Sequence, residues 1–263
     1  MYRYKKIVSI LLAVLVMAVA TTLAALRHQD QNGSSSLTKK EAMPVQEEVM
    51  TAKQREHSKL YKEYKTGKKL RDLAAEIGDV KIRRHAGPQG GDLNEPLLSL
   101  DKFLQSAACS AEAVVVVVVK SKSSQLTEDE DYVFTDYETT VEEVLKDNAS
   151  APIQTKGNIT ITRPGGTIQL NGRTIEAIDD SFEPLTVGGR YILFLQFLPT
   201  TRSYKSLNSV SGFQLKNKKI DKLTREHLQA ESELANEDAV SFLGRIRVAA
   251  SGACNGLKKG DVE

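Results

Sequence analysis

The stretch "AEAVVVVVVK", Ala111 to Lys120, sets six valines in a row, Val114 to Val119, between Glu112 and Lys120. Valine is branched at Cβ and stiff at χ1, which favours strand over helix. Six residues make a strand of ordinary length and are far too few to cross a bilayer. A strand with one wet face alternates apolar and polar residues, whereas an unbroken apolar run needs cover on both faces. Val114 to Val119 is therefore read as a central strand of a barrel, or of a sheet with helices on its outer side. Small barrels are filled by side chains, so the valines are expected to pack a core rather than line a ligand cavity. The flanking charges protect a segment that would aggregate if exposed.

The N-terminus gives an address. Arg3, Lys5 and Lys6 precede an apolar run from Ile7 to Leu26, interrupted only by Ser9, Thr21 and Thr22. At about 1.5 Å per residue a helix of this length crosses a hydrocarbon core of about 30 Å. The basic flank keeps that end in the cytoplasm and sends the remainder outward. The same residues also fit a cleaved signal peptide, with Ile7 to Met17 as its apolar region and Ala18-Val19-Ala20 as the cleavage site. Either way residues 1–27 place the bulk of the chain outside the cytoplasm, anchored to the membrane or secreted.

The net charge of +2 hides an asymmetry. Residues 28–90 carry 13 basic and 9 acidic residues, whereas 91–263 carry 19 and 25. The basic part adjoins the membrane as a solvated tether or a contact for anionic headgroups. The acidic remainder argues against nucleic acid as a partner. Two cysteines, Cys109 and Cys254, bracket the region of dense strand signals. In an oxidising compartment they either pair or remain as two buried thiols. They would pair if the helices beside them pack at the same end of the domain.

Outward from the valines, "QDQNGSSS" (Gln29 to Ser36) reads as a flexible linker. Val45 to Ile77 has helix-forming composition, interrupted at Gly67, and is read as one or two loosely attached polar helices. "HAGPQGGDLNEP" (His85 to Pro96) is a Gly/Pro-rich boundary. The division expected is thus 1–27, a polar linker over 28–95, a domain over 96–255 and a disordered tail over 256–263. In the domain, Ser99 caps a short helix carrying Leu100, Phe103, Leu104 and Ala107. After the valine strand, "TEDED" (Thr127 to Asp131) forms a solvated turn rather than a calcium site, and Tyr132 to Leu145 a long second strand. "NITITRP" is a third strand, followed by "RPGG" at Arg163 to Gly166, which could form a small anion-binding turn but reads rather as a plain hairpin turn, since Pro-Gly pairs are turn signals in their own right. Thr167 to Ile178 is a hairpin about Asn171-Gly172, the residue pair of a type I′ turn. "RYILFLQFL" after Gly188-Gly189 is another continuous apolar strand, and one or two weaker strands follow it. A C-terminal helix capped by Asn236 places Phe242, Leu243, Ile246, Ala249 and Ala250 on one face and ends at Gly252.

Cys109, the run Ala113 to Val119, the strand end Val141 to Lys146 and "GRYILFL" (Gly189 to Leu195) together resemble the netrin-like module, the OB-type barrel of tissue inhibitors of metalloproteinases. The likeness covers Cys109 to Leu198. It implies a mainly β fold: a small, partly open OB-like barrel with flanking N- and C-terminal helices, here preceded by a membrane helix and a tether. The inhibitors chelate zinc through an N-terminal Cys-x-Cys, whereas Cys109 is internal and is followed by Ser110. The resemblance therefore implies the architecture without that activity.

Signals of catalysis are absent. His28, His57, His85 and His227 are scattered, have no metal partner at helical spacing, and are read as surface side chains. No nucleophile elbow, zinc-protease motif or phosphate loop occurs. Asp179, Asp180 and Glu183 cluster in "AIDDSFEP", but three acids without a base or nucleophile usually form a solvated loop. The apolar neighbours of Cys109 would raise rather than lower a thiol pKa. The function expected is a non-enzymatic extracytoplasmic binding or scaffold module for a protein or glycan, without cofactor or metal. A protease-inhibitor-like module and a hydrolase using the acidic loop are the alternatives.

Overall fold

The computed structural model describes residues 50–84, 99–207, 212–216, 219–223, 231–234, 237–252 and 254. The apolar N-terminal run, the Gly/Pro-rich boundary, Asn236, and His28, His85 and His227 lie outside them. Among the described residues no helix is long and apolar enough to cross a membrane. Val45–Glu263 forms one compact unit.

That unit is mainly β, with ten described strands in two sheets and helices at its flanks. In chain order α1 (Ala52–Ser58) runs into a 3-10 turn (Lys59–Tyr61), followed by α2 (Leu70–Ile77), β1 (Val80–Arg84) and α3 (Leu100–Ser110). Then come β2 (Ala113–Leu126), β3 (Val133–Lys146), β4 (Asn158–Pro164), β5 (Gly166–Leu170), β6 (Arg173–Asp179) and β7 (Arg190–Leu198). The chain continues through β8 (Ser203–Ser206), β9 (Gly212–Lys216), β10 (Lys219–Lys222), α4 (Glu231–Leu234) and α5 (Ala239–Ser251).

The large sheet has the order β10-β9-β7-β2-β3-β4-β8, and a further β7–β8 pairing closes five of its strands into a ring. All neighbours in that ring are antiparallel except β4 and β8. One edge of β7 is divided: Tyr191 to Leu193 pair with β9, and Leu195 to Leu198 pair with β8. β9 and β10 therefore extend the sheet outside the ring, beside the half of β7 that β8 leaves unpaired. Register shifts after Val114, Val116 and Val119 bend β2, as bulges do where a long strand must curl.

The valine run lies at the centre, paired with β3 on one side and β7 on the other. Val115, Val117 and Val119 pack with Val141, Ile161, Leu193 and Leu195 inside the ring. Val114 and Val116 pack outward with Phe194 and Phe213 against Leu104 of α3 and Phe242 and Ile246 of α5. The valine run is therefore covered on both faces, by the side chains inside the ring and by the helices outside. Asp238, rather than Asn236, caps α5, accepting from the Val240 and Ser241 amides at 2.9 and 3.2 Å. Lys146 at the end of β3 donates to the carbonyls of Ala108 and Ala111 at 2.7 and 2.6 Å, satisfying the C-terminus of α3.

The second sheet has the order β1-β6-β5. Asn171 (φ 50°) and Gly172 (φ 77°) form the expected hairpin turn between β5 and β6. Arg163 to Gly166 is not a hairpin turn. It is the bend by which the chain leaves the barrel, since β5 pairs with β6 and not with β4. A Cβ on Gly166 (φ 148°) would lie 2.3 Å from Thr135 Oγ1 and 2.7 Å from Ser124 Oγ, so the bend needs glycine there. β1 adds in parallel to β6, and Leu70 and Ala74 of α2 bury against Val80, Ile175 and Ala177. Residues 51–84, read from sequence as part of a polar linker, are thus built into the compact unit, because their few apolar side chains complete a third core.

Cys109 in α3 and Cys254 beyond α5 form a disulfide with Cα atoms 5.6 Å apart, closing a loop of 145 residues. Cys254→Ser is expected to lower the thermal midpoint, by at most about 5 kcal/mol of stability in the loop-entropy account. Denaturation of wild type with and without reductant checks this: equal midpoints would show that the bridge contributes nothing.

Candidate functional site

Alternation along β3 and β4 sends Tyr137, Val141 and Ile161 into the barrel. Phe134, Asp136 and Glu138 of β3, and Thr160 and Thr162 of β4, face outward. Residues 51–61 lie on this outer face. Thr51 starts α1 with a reciprocal capping box, its hydroxyl taking the Gln54 amide while the Gln54 side chain takes the Thr51 amide. Lys53 reaches the Thr160 hydroxyl and lies 3.9 Å from Glu138. The Tyr61 ring stacks on Phe134 at 5.6 Å, and its hydroxyl meets that of Thr162 at 3.1 Å.

His57 sits in the middle of this contact. It is 0% exposed, the opposite of the surface setting expected for it. Its Nδ1 lies 2.8 and 2.9 Å from the two Asp136 oxygens. A carboxylate only accepts, so Nδ1 carries the proton and donates. Nε2 then faces two hydroxyls, Ser203 Oγ at 2.7 Å and Thr201 Oγ1 at 3.1 Å. These hydroxyls are 2.5 Å from each other. Arg202 between them holds a left-handed φ of 50°, a conformation costing roughly 1–2 kcal/mol, and so turns residues 201 and 203 toward the same ring.

The order carboxylate, imidazole, hydroxyl is that of a serine-hydrolase triad, in which the imidazole takes the hydroxyl proton. Access is where the resemblance ends. Ser203 is 0% exposed and Asp136 is buried; only Thr201 is partly exposed. As it stands, the chain of hydrogen bonds fastens α1 to β3 and to the β7–β8 turn. Partners separated by 79 and 146 positions leave no local motif. The one available signal was Asp136 itself, since aspartate is depleted in strands and this one interrupts an otherwise good one.

The acidic loop has partners the sequence reading did not foresee. Asp179 is buried, takes Arg84 Nη1 at 3.1 Å and caps the Ser181 amide at 2.9 Å. Asp180 lies 3.5 Å from Arg83 Nε. Both arginines come from β1. Glu183 contributes its backbone, donating its amide to Leu223 and accepting Arg163 Nη1 on its carbonyl. The "TEDED" turn is likewise engaged: Glu130 binds Arg71 at 2.7 Å and lies 3.6 Å from Lys69. No group of three or more His, Cys, Asp or Glu among the described residues could hold a metal ion.

Arg163 is the largest fully buried side chain among the described residues, 1% exposed. Nη1 donates to the Glu183 carbonyl at 2.9 Å, and Cζ lies 5.2 Å from the centre of the Phe182 ring. Nε and Nη2 have no hydrogen-bond partner among the described residues. Burial pushes the guanidinium pKa down from its ordinary value, with the Tyr137, Tyr61 and Tyr191 side chains acting in the opposite direction.

No protein-family model matches this chain, and no curated protein matches it.

Several tyrosines around these contacts are buried or half-buried. Tyr64 is pushed up to about 12, first by burial and then by the Asp179 charge. Burial likewise raises Tyr132 and Tyr61. An unfolded tyrosine ionises near pH ~10. The folded state holds these protons more tightly, so the unfolded state loses its protons first as pH rises. Stability should therefore fall from about pH 10 through 12. Tyrosinate absorbance followed alongside circular dichroism checks this: a tyrosine fraction titrating only as the fold is lost is the expected result.

Proposed function

We propose that this chain is a non-enzymatic binding or scaffold module on an OB-type barrel of the netrin-like kind, held outside the cytoplasm by its N-terminal apolar segment and serving a protein or glycan partner. The ring β2-β3-β4-β8-β7, with its single parallel pairing between β4 and β8, supports the OB-type reading. In such barrels the face of the second and third strands binds ligands, together with the loops after the first and fourth strands. The corresponding elements here are β3 and β4, the 127–132 turn and the 199–202 turn.

One observation carries the proposal. All four of those elements are engaged by residues 51–71 of the chain itself. His57 and Tyr61 sit on β3 and β4. His57 also meets Thr201 in the 199–202 turn. Ser58 and Arg71 hold Glu128 and Glu130 of the 127–132 turn. The face is thus matched to a polypeptide arm presenting lysine, histidine and tyrosine. The inhibitor alternative draws no support from Cys109, which lies inside α3 and is bonded to Cys254.

The His57 relay favours a second reading, an acyl-transfer enzyme with Ser203 as nucleophile. Fluorophosphonate treatment of the full chain separates the two. The expected result is no adduct on Ser203. A stoichiometric adduct that His57→Ala abolishes would overturn the non-enzymatic reading. Orientation is tested by protease added to intact spheroplasts: the domain should be digested, and complete protection would place it on the other side.

A further inference from the structure

We infer that the end of the barrel interior beneath the β6–β7 connection binds one small carboxylate or oxoanion on the Nε/Nη2 edge of Arg163. Arg163 follows Ile161 by two positions on β4, so it points inward as Ile161 does. Its guanidinium is held in one orientation by the Glu183 carbonyl on Nη1 and by the Phe182 ring. The two nitrogens left over are not a random pair. Nε–H and one Nη2–H lie on the same edge of the planar group and point the same way, with the spacing of the two oxygens of a carboxylate. A buried side chain fixed at one end thus offers a two-donor fork at the other.

Charge makes the case stronger than hydrogen bonding alone. An arginine stays protonated in a protein, and a buried charge without a counter-charge is unfavourable. The groups that act on Arg163 electrostatically are Tyr137, Tyr61, Tyr191 and Asp179. Burial keeps the Tyr61 and Tyr137 phenols above their ordinary range, hence neutral. The Tyr191 hydroxyl already accepts from the Thr186 amide at 2.8 Å and from Gln214 at 3.1 Å. Asp179 is bound to Arg84 and the Ser181 amide. A bound anion would supply the missing charge and fill both donors. A water molecule could accept from both donors but would leave the charge uncompensated. The Glu183 carbonyl and the Phe182 ring of this connection lie against Arg163, and Phe182 and Leu185 are buried, so the ligand must be small and its exchange requires that connection to open.

Formate is the probe. The full chain is exchanged into formate or chloride at equal ionic strength, and thermal midpoints are followed as formate replaces chloride. A saturable rise is expected in wild type and none in Arg163→Gln. Arg163→Lys keeps the charge without the fork and should show a weaker, non-saturating response. Should either variant fail to fold, 13C-formate exchange spectra on wild type decide alone, a distinct bound signal being the expected result. No bound signal together with equal midpoints in the two salts would overturn the proposal, as would a formate response unchanged in Arg163→Gln.

Discussion

Everything in this domain hangs on β2 being covered on both faces. Strand alternation sends Val115, Val117 and Val119 into the ring and Val114 and Val116 outward under α3 and α5. Each face would be unstable alone. The ring needs a continuous apolar strand to fill its interior, and the helices need an apolar sheet face to bury Leu104, Phe242 and Ile246. Because α3 and α5 both answer to that outer face, they lie side by side. Arg245 of α5 meets Asp101 of α3 at 2.8 Å, and Cys109 and Cys254 come within bonding reach. The surface ion pair is worth at most about 1 kcal/mol; the shared apolar face does the positioning.

The second constraint is polar. Residues 51–84 hold too few apolar side chains to pack by hydrophobic burial alone. They attach through groups that must find partners once buried: His57 to Asp136, Ser203 and Thr201, Tyr61 to Thr162, and Asp179 to Arg84. Leaving one such group unsatisfied costs about 1–3 kcal/mol, so the arm has one register on the barrel. The chemistry that looks catalytic in isolation is the chemistry that fixes this register. Arg163 differs from it, because only part of its donor capacity is met among the described residues.

Legibility followed range. The valine run, the long second strand, the Asn171-Gly172 turn and the apolar face of α5 were readable because each is a local pattern with a period or a turn signature. β1 was not, since "VKIRR" is short and basic and becomes a strand only by pairing with β6. His57 looked like any histidine on a polar helix, and Arg163 like the start of a turn. Nothing near either in sequence says that it is buried.

By itself, then, the sequence determined the long central strands and the helices flanking them, the need for cover on both faces of β2, and an apolar N-terminal segment of membrane-spanning length. Burial periodicity and turn chemistry act between neighbours, so they are written in adjacent residues. Only the tertiary structure decided that the ring closes by a parallel β4–β8 pairing, that residues 51–84 belong to the domain, and that Asp136 meets His57 while Arg163 keeps a donor edge free. Those outcomes rest on contacts between residues tens to more than a hundred positions apart. Their energies depend on distance and burial in space, which no local pattern encodes.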